Sequence, residues 1–350
     1  MADLRVAIIG YGLAGRVFHA PLIATTPGLA LVSVVTGSPE RQADAVRTHP
    51  GIATPATVQE LWAAEAGLDL VVVATPTDSH AALATEAINR GVAVVVDKPL
   101  TVSASDAEAL VDRARDAGVL LTVFQNRRWD SDHLTLARLV GEGRLGEVIR
   151  YESRFERWRP NPTGVWRESR PPENGGGQLL DLGSHLVDQA LVLFGPVTEV
   201  YAEVDARRGQ AGDDDAFLAL RHAHGTVSHL HASAVTAAPG PRLRVLGTEA
   251  AYVAPALDTQ EERLRAGRRP DAGDGWGREP QSHWGRLVTG DYSVPIRSEP
   301  GNWPAFYRAL EAALRHGEPP PVDPSDAVAV LRILEHARRA AANRTTLSTG

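Results

Sequence analysis

The sequence predicts an α/β protein in two parts: a doubly wound parallel sheet at the N-terminus, then an α+β domain built on a mostly antiparallel sheet. Three observations carry this. Short β-branched runs alternate with helical stretches over the first 120 residues. A glycine-rich turn sits directly between the first run and the first helix. Beyond about residue 145 the runs lengthen and are joined by short turns such as His224-Gly225.

Residues 6–9, 31–35, 70–74 and 92–96 are apolar runs bounded by Gly, Pro or Asp. Such runs suit strands buried on both faces of a parallel sheet. Helical stretches at 16–24, 40–47, 58–65 and 80–89 separate or flank them. A further helix, 105–117, carries Leu110, Val111 and Ala114 at helical spacing and stops at Gly118; residues 120–124 read as a fifth strand. This order implies right-handed crossovers and bounds a first domain at 1–124. The remainder, 125–350, reads as a second domain with strands at 148–155, 197–205, 216–223, 226–232 and 242–246, punctuated by helices at 134–142, 182–193 and 303–316. A polar stretch at 258–281 reads as a long loop with one helical turn. The last helix, 325–342, begins behind Pro324 with a Ser or Asp cap, and is a candidate to pack back on the first domain.

The 350 residues carry 36 Lys+Arg against 43 Asp+Glu, a net charge of −7, with no block of like charge. Nothing there suggests a nucleic-acid or membrane partner. Cysteine is absent, which excludes disulfides, thiolate catalysis and zinc–sulfur sites and fits the cytosol. The first apolar run is short of the roughly seven to fifteen residues of a signal-peptide core. No run approaches the roughly 18 that a membrane span needs. The expectation is a cytoplasmic protein.

Gly10-Tyr11-Gly12-Leu13-Ala14-Gly15 matches G-x-G-x-x-G between a buried-type strand and an apolar helix, the context of a Rossmann dinucleotide site. The helix start offers unpaired N–H groups to phosphates. After the second strand comes Thr36-Gly37-Ser38-Pro39-Glu40-Arg41, with no acid at the strand tip. Thr36, Ser38 and Arg41 would welcome a 2′-phosphate that an acid would repel, so NADP is expected, with NAD left open through Glu40. Thr75, Pro76 and His80, past the third strand, and Asp97, past the fourth, join the candidate cofactor set.

Lys98 follows Asp97 and precedes Pro99, which restricts it to an extended conformation aimed at the cleft. An ammonium there is suited to donate to an alcohol oxygen. Gly175-Gly176-Gly177 permit a close backbone approach, and the helix that follows carries Asp181 and His185 at i and i+4, on one face. A carboxylate beside a histidine can fix the ring and raise its basicity. A capping Asp with a buried, hydrogen-bonded His fits that pattern equally. His222, His224, His229 and His231 recur at period two; a polar sheet face is expected rather than a metal site. Asp213-Asp214-Asp215 reads as a solvated turn, not a calcium loop.

Together Gly10–Gly15, Asp97-Lys98-Pro99 and the Asp181/His185 helix resemble the Gfo/Idh/MocA oxidoreductases over essentially the whole chain, with Asp97 standing where the family usually has glutamate. Phe18-His19-Ala20-Pro21-Leu22, Asn126-Arg127-Arg128-Trp129-Asp130, Trp166-Arg167-Glu168 and Leu264-Arg265-Ala266-Gly267-Arg268-Arg269-Pro270 are similar to its NADP-dependent scyllo-inositol dehydrogenase branch, although Gly37 and Ser38 replace that branch's Ser-Arg pair. The resemblance implies Lys98, Asp181 and His185 as the catalytic group. It also implies a substrate pocket and an oligomer interface in the second domain, hence a homodimer or homotetramer. The implied reaction moves a hydride between NADP and a secondary alcohol of a cyclic polyol or sugar. Asn126, Arg128, Arg159 and Trp166 are the candidates to grip the remaining hydroxyls beside Asp181 and His185. Rival readings are a ketosugar reductase acting on a free or nucleotide-linked sugar, an NADP-sensing regulator without turnover, and a glycoside-cleaving enzyme that uses NAD transiently. A pure sensor would have no use for Lys98, Asp181 and His185 together.

Overall fold

The computed structural model describes residues 2–273 and 275–349; Met1, Gly350 and, within the predicted 258–281 loop, Asp274 lie outside the described residues. Strands β1 (Leu4–Ile9), β2 (Leu29–Val35), β3 (Leu70–Val73), β4 (Ala93–Asp97) and β5 (Leu121–Phe124) form a parallel sheet in the order β2-β1-β3-β4-β5. The direction of winding reverses between β1 and β3. In open α/β sheets that reversal leaves a crevice at the carboxyl ends, where ligands bind.

Both faces of this sheet are buried, which is why its strands read as continuous apolar runs. Ala7, Ile9, Val71, Val73, Val94 and Val96 pack with helices His80–Asn89 and Ala104–Ala117. Val6, Ile8, Val34, Leu70, Val72 and Val95 pack the other way, against Leu22, Ile23, Phe306, Tyr307 and Leu310. Two helices late in the chain thus return to the first sheet. Pro304–His316 covers one face, and Pro324–Asn343 lies between helix Ala104–Ala117 and the second sheet.

The second sheet has nine strands: β6 (Val148–Glu156), β7 (Val197–Asp205), β8 (Asp215–His222), β9 (Val227–Ser233), β10 (Leu243–Gly247), β11 (Ala251–Ala254), β12 (Gly285–Thr289), β13 (Tyr292–Ile296) and β14 (Leu347–Ser348). Their order is β13-β12-β11-β10-β6-β9-β8-β7-β14, antiparallel except for β6 with β9. Helix Ser184–Phe194 packs on β6 and β9, and Pro324–Asn343 on β7. Strands β11 to β14 escape sequence reading. β11 and β14 are very short, and the outermost long strand, β13, is exposed along most of its length and contains Pro295.

Two helices start with π turns, at Ala14–His19 before Ala20–Ala24 and at Leu179–Gly183 before Ser184–Phe194. A π turn adds a residue to the turn, so a 3.6-residue period misplaces the side chains on either side of it. The predicted loop at 258–281 contains the helix Gln260–Arg265. Among the described residues no helix is long and apolar enough to cross a membrane.

The aspartate triplet is not a solvated turn. Asp213 and Asp214 are buried: Asp213 Oδ1 accepts from Leu179 N–H (2.7 Å), and Asp214 accepts from the N–H groups of Arg207 and Arg208 (2.8 and 2.9 Å) and from Arg208 Nε. The histidines disperse. His222 is buried between Gly195 O and Ser228 Oγ, both at 2.8 Å, while His231 lies on the outer sheet face beside Glu156 and Asp215. Among the described residues no group of three or more His, Asp or Glu is placed to hold a metal.

Candidate active site

The carboxyl ends of β1, β2 and β3 open on a cleft of about 730 Å³, with residues 10–14, Thr36, Arg41, Thr75 and Pro76 in its walls and residues 165–167 facing them from the second domain. Gly10 adopts φ +100°, and a side chain there would reach within 2.7 Å of Ala74 O. Only glycine makes that turn. A side chain at Gly15 would overlap Gly10 O, so helix packs closely on strand. At Gly12 it would meet nothing within 4 Å. That open space beside the helix start is where a pyrophosphate approaches the backbone in this kind of turn. The residues present therefore fit a dinucleotide.

Tyr11, Leu13, Ala14 and Asp97 also line the cleft. Two predicted members do not. Ser38 Oγ accepts from Arg41 N–H at 3.3 Å and caps helix Pro39–Thr48. His80 is fully buried, its ring nitrogens each 2.9 Å from a carbonyl oxygen, of Pro99 and Thr75. It joins the loop after β3 to the cis Lys98–Pro99 peptide and touches no cleft space. Burial lowers its pKa, with Asp97 and the carbonyls pulling the other way. His80 holds the two loops together from behind the cleft wall.

Asp97, nearly buried, lies 3.7 Å from His19 Nε2, and His19 Nδ1 is 2.6 Å from Tyr307 Oη. Burial alone would raise the Asp97 pKa, but His19 and then Lys98 outweigh it and hold it low. The Phe18–Leu22 signature thus supplies a buried imidazole behind the cleft carboxylate.

Lys98 Nζ donates to Asp181 O (2.8 Å) and to Asp181 Oδ1 (2.7 Å), and Arg167 Nε lies 3.3 Å from the same oxygen. Burial would raise Asp181; Lys98 and Arg167 hold it well below the usual carboxylate range. The predicted Asp181–His185 partnership is absent. The π turn between them takes i and i+4 off one column, and the carboxylate serves the lysine instead. Among the described residues His185 forms no hydrogen bond: Nδ1 is buried without a partner, Nε2 keeps contact with solvent, and the ring sits 6.4 Å from that of Phe155. Burial first, then Lys98, Arg127 and Arg242, lower its pKa well below the ordinary value. The result is an ionised Asp181, its ammonium partner and a neutral imidazole in one neighbourhood.

The four candidate hydroxyl-gripping residues separate. Asn126 is buried, and its side chain has no hydrogen-bond partner among the described residues. Arg128 is tied through two of its three nitrogens: Nε and Nη2 donate to Asp188 (2.9 and 2.6 Å), and Nη2 also to Asp326 (3.0 Å), joining three segments. Arg159 is exposed, and its carbonyl accepts from Arg208. Trp166 faces the cofactor cleft under the Arg167 and Arg170 guanidinium groups. Arg128 thus spends two of its nitrogens on holding the fold together, and Arg159 stands in solvent. The approach made by the glycine triplet is likewise internal: side chains there would strike Thr77, Arg170 O and Asp213 in turn.

Sequence reasoning left Arg157 out of the polyol-gripping set and counted it only among the arginines of 157–170 that could meet a sugar nucleotide's diphosphate. It continues β6 on the face of Phe155, two residues on, with its N–H donating to Ser233 O at 2.9 Å. The Phe155 ring touches His185 and lies under Arg127 and Arg242. Arg157 is half-buried and its side chain has no hydrogen-bond or ion-pair partner among the described residues, while Asp181 and Glu261 are near enough to act on it. Period-two parity along β6 was the signal that could have found it.

Residues 4–125 match the description "Oxidoreductase family, NAD-binding Rossmann fold", and residues 133–253 match "GFO/IDH/MocA C-terminal domain". The oxidoreductase YdgJ of Escherichia coli (strain K12), itself uncharacterized, is 40% identical over 347 residues, covering 99% of this chain and 98% of its own. The scyllo-inositol 2-dehydrogenase (NADP(+)) IolW of Bacillus subtilis (strain 168) is 33% identical, covering 98% and 95%. A solved structure of the Bacillus subtilis oxidoreductase YvaA superposes with a TM-score of 0.93 at 33% identity, covering 99% and 98%.

Proposed function

Because the chain belongs to the GFO/IDH/MocA family of oxidoreductases, we propose that it transfers a hydride between NADP and a secondary alcohol of a cyclic polyol or sugar, as an inositol dehydrogenase does. One observation carries the reading: next to Asp97 on the cleft wall, a half-buried ammonium held by a carboxylate stands near a neutral histidine that forms no hydrogen bond among the described residues.

When bound, the nicotinamide accepts the hydride in oxidation and donates it in reduction. Lys98 donates a hydrogen bond to the carbinol oxygen and stabilises the charge that develops on it. His185 takes the hydroxyl proton through a ring nitrogen, and returns it in the reverse direction. Asp181 keeps Lys98 aimed, and Arg167 restrains Asp181 from the cleft wall. Arg157 and Asn126 present unused donors to the remaining hydroxyls. Trp166 and its arginine neighbours cover the cleft and exclude water.

Thr36 and Arg41 on the cleft, with no acid at the tip of β2, support NADP over NAD, which Glu40 would serve. A ketosugar reductase would use the same residues in the opposite direction. The outer face of the second sheet, where the Phe217 ring stacks beside His229 and His231 at 5.6 and 6.2 Å, supports a homodimer or homotetramer built through that face. The absence of cysteine supports a cytoplasmic location.

Absorbance at the nicotinamide band, over a panel of inositols, aldoses and ketosugars with NADP and NAD, tests the reading. Lys98→Ala and His185→Ala should each lower kcat about 100-fold or more, with dinucleotide affinity by fluorescence little changed. Near-full activity in either variant, or no turnover of any secondary alcohol or ketone, overturns it.

A further inference from the structure

Among the described residues, Arg157 is the one arginine that is not exposed and whose side chain makes no hydrogen bond or ion pair. Its backbone is fixed on both sides: the N–H donates to Ser233 O at 2.9 Å, and the carbonyl accepts from Thr236 N–H at 3.0 Å. That holds the side chain on the face of Phe155, whose ring stands 6.4 Å from that of His185. The two carboxylates near enough to act on Arg157 are already spent. Asp181 accepts from Lys98 and lies 3.3 Å from Arg167 Nε, while Glu261 accepts from Arg127 at 2.8 Å and from Arg265 at 2.8 and 3.0 Å. Nor does a dinucleotide account for the charge, because the cofactor cleft is walled by Arg41 and Arg167 and not by Arg157.

We propose that the substrate is a sugar acid, a polyol bearing a carboxylate, and that the Arg157 guanidinium binds this carboxylate while Lys98 and His185 act on a secondary alcohol of the same molecule. The proposal rests on the hydride-transfer reading above and narrows its substrate class. The balance of the reaction is unchanged. The carbinol carbon loses a hydride to the nicotinamide, the hydroxyl proton passes to His185, and a ketone is left with the carboxylate untouched.

A half-buried guanidinium has shed part of its water without gaining a partner, a cost that an incoming anion offsets. Its planar fork matches the two oxygens of a carboxylate. A hydroxyl would take one donor and leave the charge unmet. One unpaired cation suits a single negative charge; a phosphate monoester would bring about −1.5 to −2, and the next arginine along, Arg159, stands in solvent. The surroundings are positive as well, since Lys98, Arg127 and Arg242 all act on His185.

Initial rates with NADP on matched substrates test the assignment: glucuronate, glucuronamide and glucose; galacturonate and galactose; and, as further arms, inositol 1-phosphate and UDP-glucose. In the wild type the better acid should show a kcat/KM at least about tenfold above its uncharged counterpart, the scale of one charge-assisted hydrogen bond. Arg157→Gln, which keeps donors without the charge, should bring that ratio close to one, and Arg157→Lys should keep part of it. Dinucleotide affinity by fluorescence, unchanged in both variants, shows that they are folded. Equal kcat/KM for acid and uncharged counterpart, a preference for the phosphate or the nucleotide sugar, or a ratio that survives Arg157→Gln overturns the sugar-acid assignment and leaves hydride transfer intact. No turnover of any of these compounds overturns both.

Discussion

Replacing Arg128 by leucine removes a guanidinium that makes two hydrogen bonds to Asp188, a carboxylate whose side chain is 2% exposed, and one to Asp326, which is 45% exposed. Burial already raises the Asp188 pKa, with Arg128 opposing it. In the variant, Asp188 either stays charged without a partner or takes up a proton. Protonating a carboxyl of ordinary pKa 3.8 at pH 7 costs about 4 kcal/mol, which caps the charge penalty. Breaking a buried pair by removing one partner typically costs roughly 3–5 kcal/mol, so the two figures agree. The exposed Asp326 bond adds at most about 1 kcal/mol. The expected loss is therefore about 4 kcal/mol at pH 7. It shrinks to about 2 at pH 5, where protonation is cheaper by about 1.4 kcal/mol for each pH unit. Removing the stranded acid as well, in Arg128→Leu/Asp188→Leu, should recover most of it. Urea unfolding followed by tryptophan fluorescence, at fixed protein concentration and both pH values, measures each quantity. A loss under about 1 kcal/mol at pH 7, with a raised KM for the polyol in its place, would refute the structural role and return Arg128 to the substrate.

Arg157→Ala should raise the polyol KM about tenfold with little change in stability, since no side-chain bond is lost; Arg159→Ala should change it less than about twofold, and initial-rate kinetics on the pair would show any reversal of that order. Gly12→Val should abolish dinucleotide binding while Tm stays close to wild type, because its side chain enters open cleft space; Gly15→Val should unfold the first domain by overlapping Gly10 O, and equal Tm values would sink this division of labour. His133, with its pKa lowered to about 3 by burial and by Arg242 and Arg128, stays neutral in the folded protein while an unfolded histidine charges near 6.5. The unfolded state thus binds more protons between those values, and stability falls with pH at about 1.4 kcal/mol for each unit. Its Nδ1 has no partner, so His133→Leu should lose about 2 kcal/mol less than wild type between pH 6.5 and 5. Parallel urea titrations of the two proteins would expose equal acid losses.

Sequence alone determined what depends on local pattern. The strands of the first sheet are buried on both faces, so their apolar runs stand out. The glycine turn needs positive φ and close backbone approach at fixed spacing, which no other residue type supplies. Lys98 is legible because Pro99 marks its conformation. Tertiary structure decided everything that depends on partners distant in the chain. Asp181 serves Lys98, 83 positions away, rather than His185 four positions on, because a π turn breaks the helical column. Arg128 is consumed by Asp188 and Asp326, and His80 by two carbonyls, and neither fate leaves a trace in local spacing. Arg157 becomes available for the converse reason: Asp181 and Glu261 lie near it, but among the described residues none forms a hydrogen bond or ion pair with its side chain. A charged side chain announces its chemistry in the sequence, but whether that chemistry is free depends on which opposite charges the fold brings within hydrogen-bond reach.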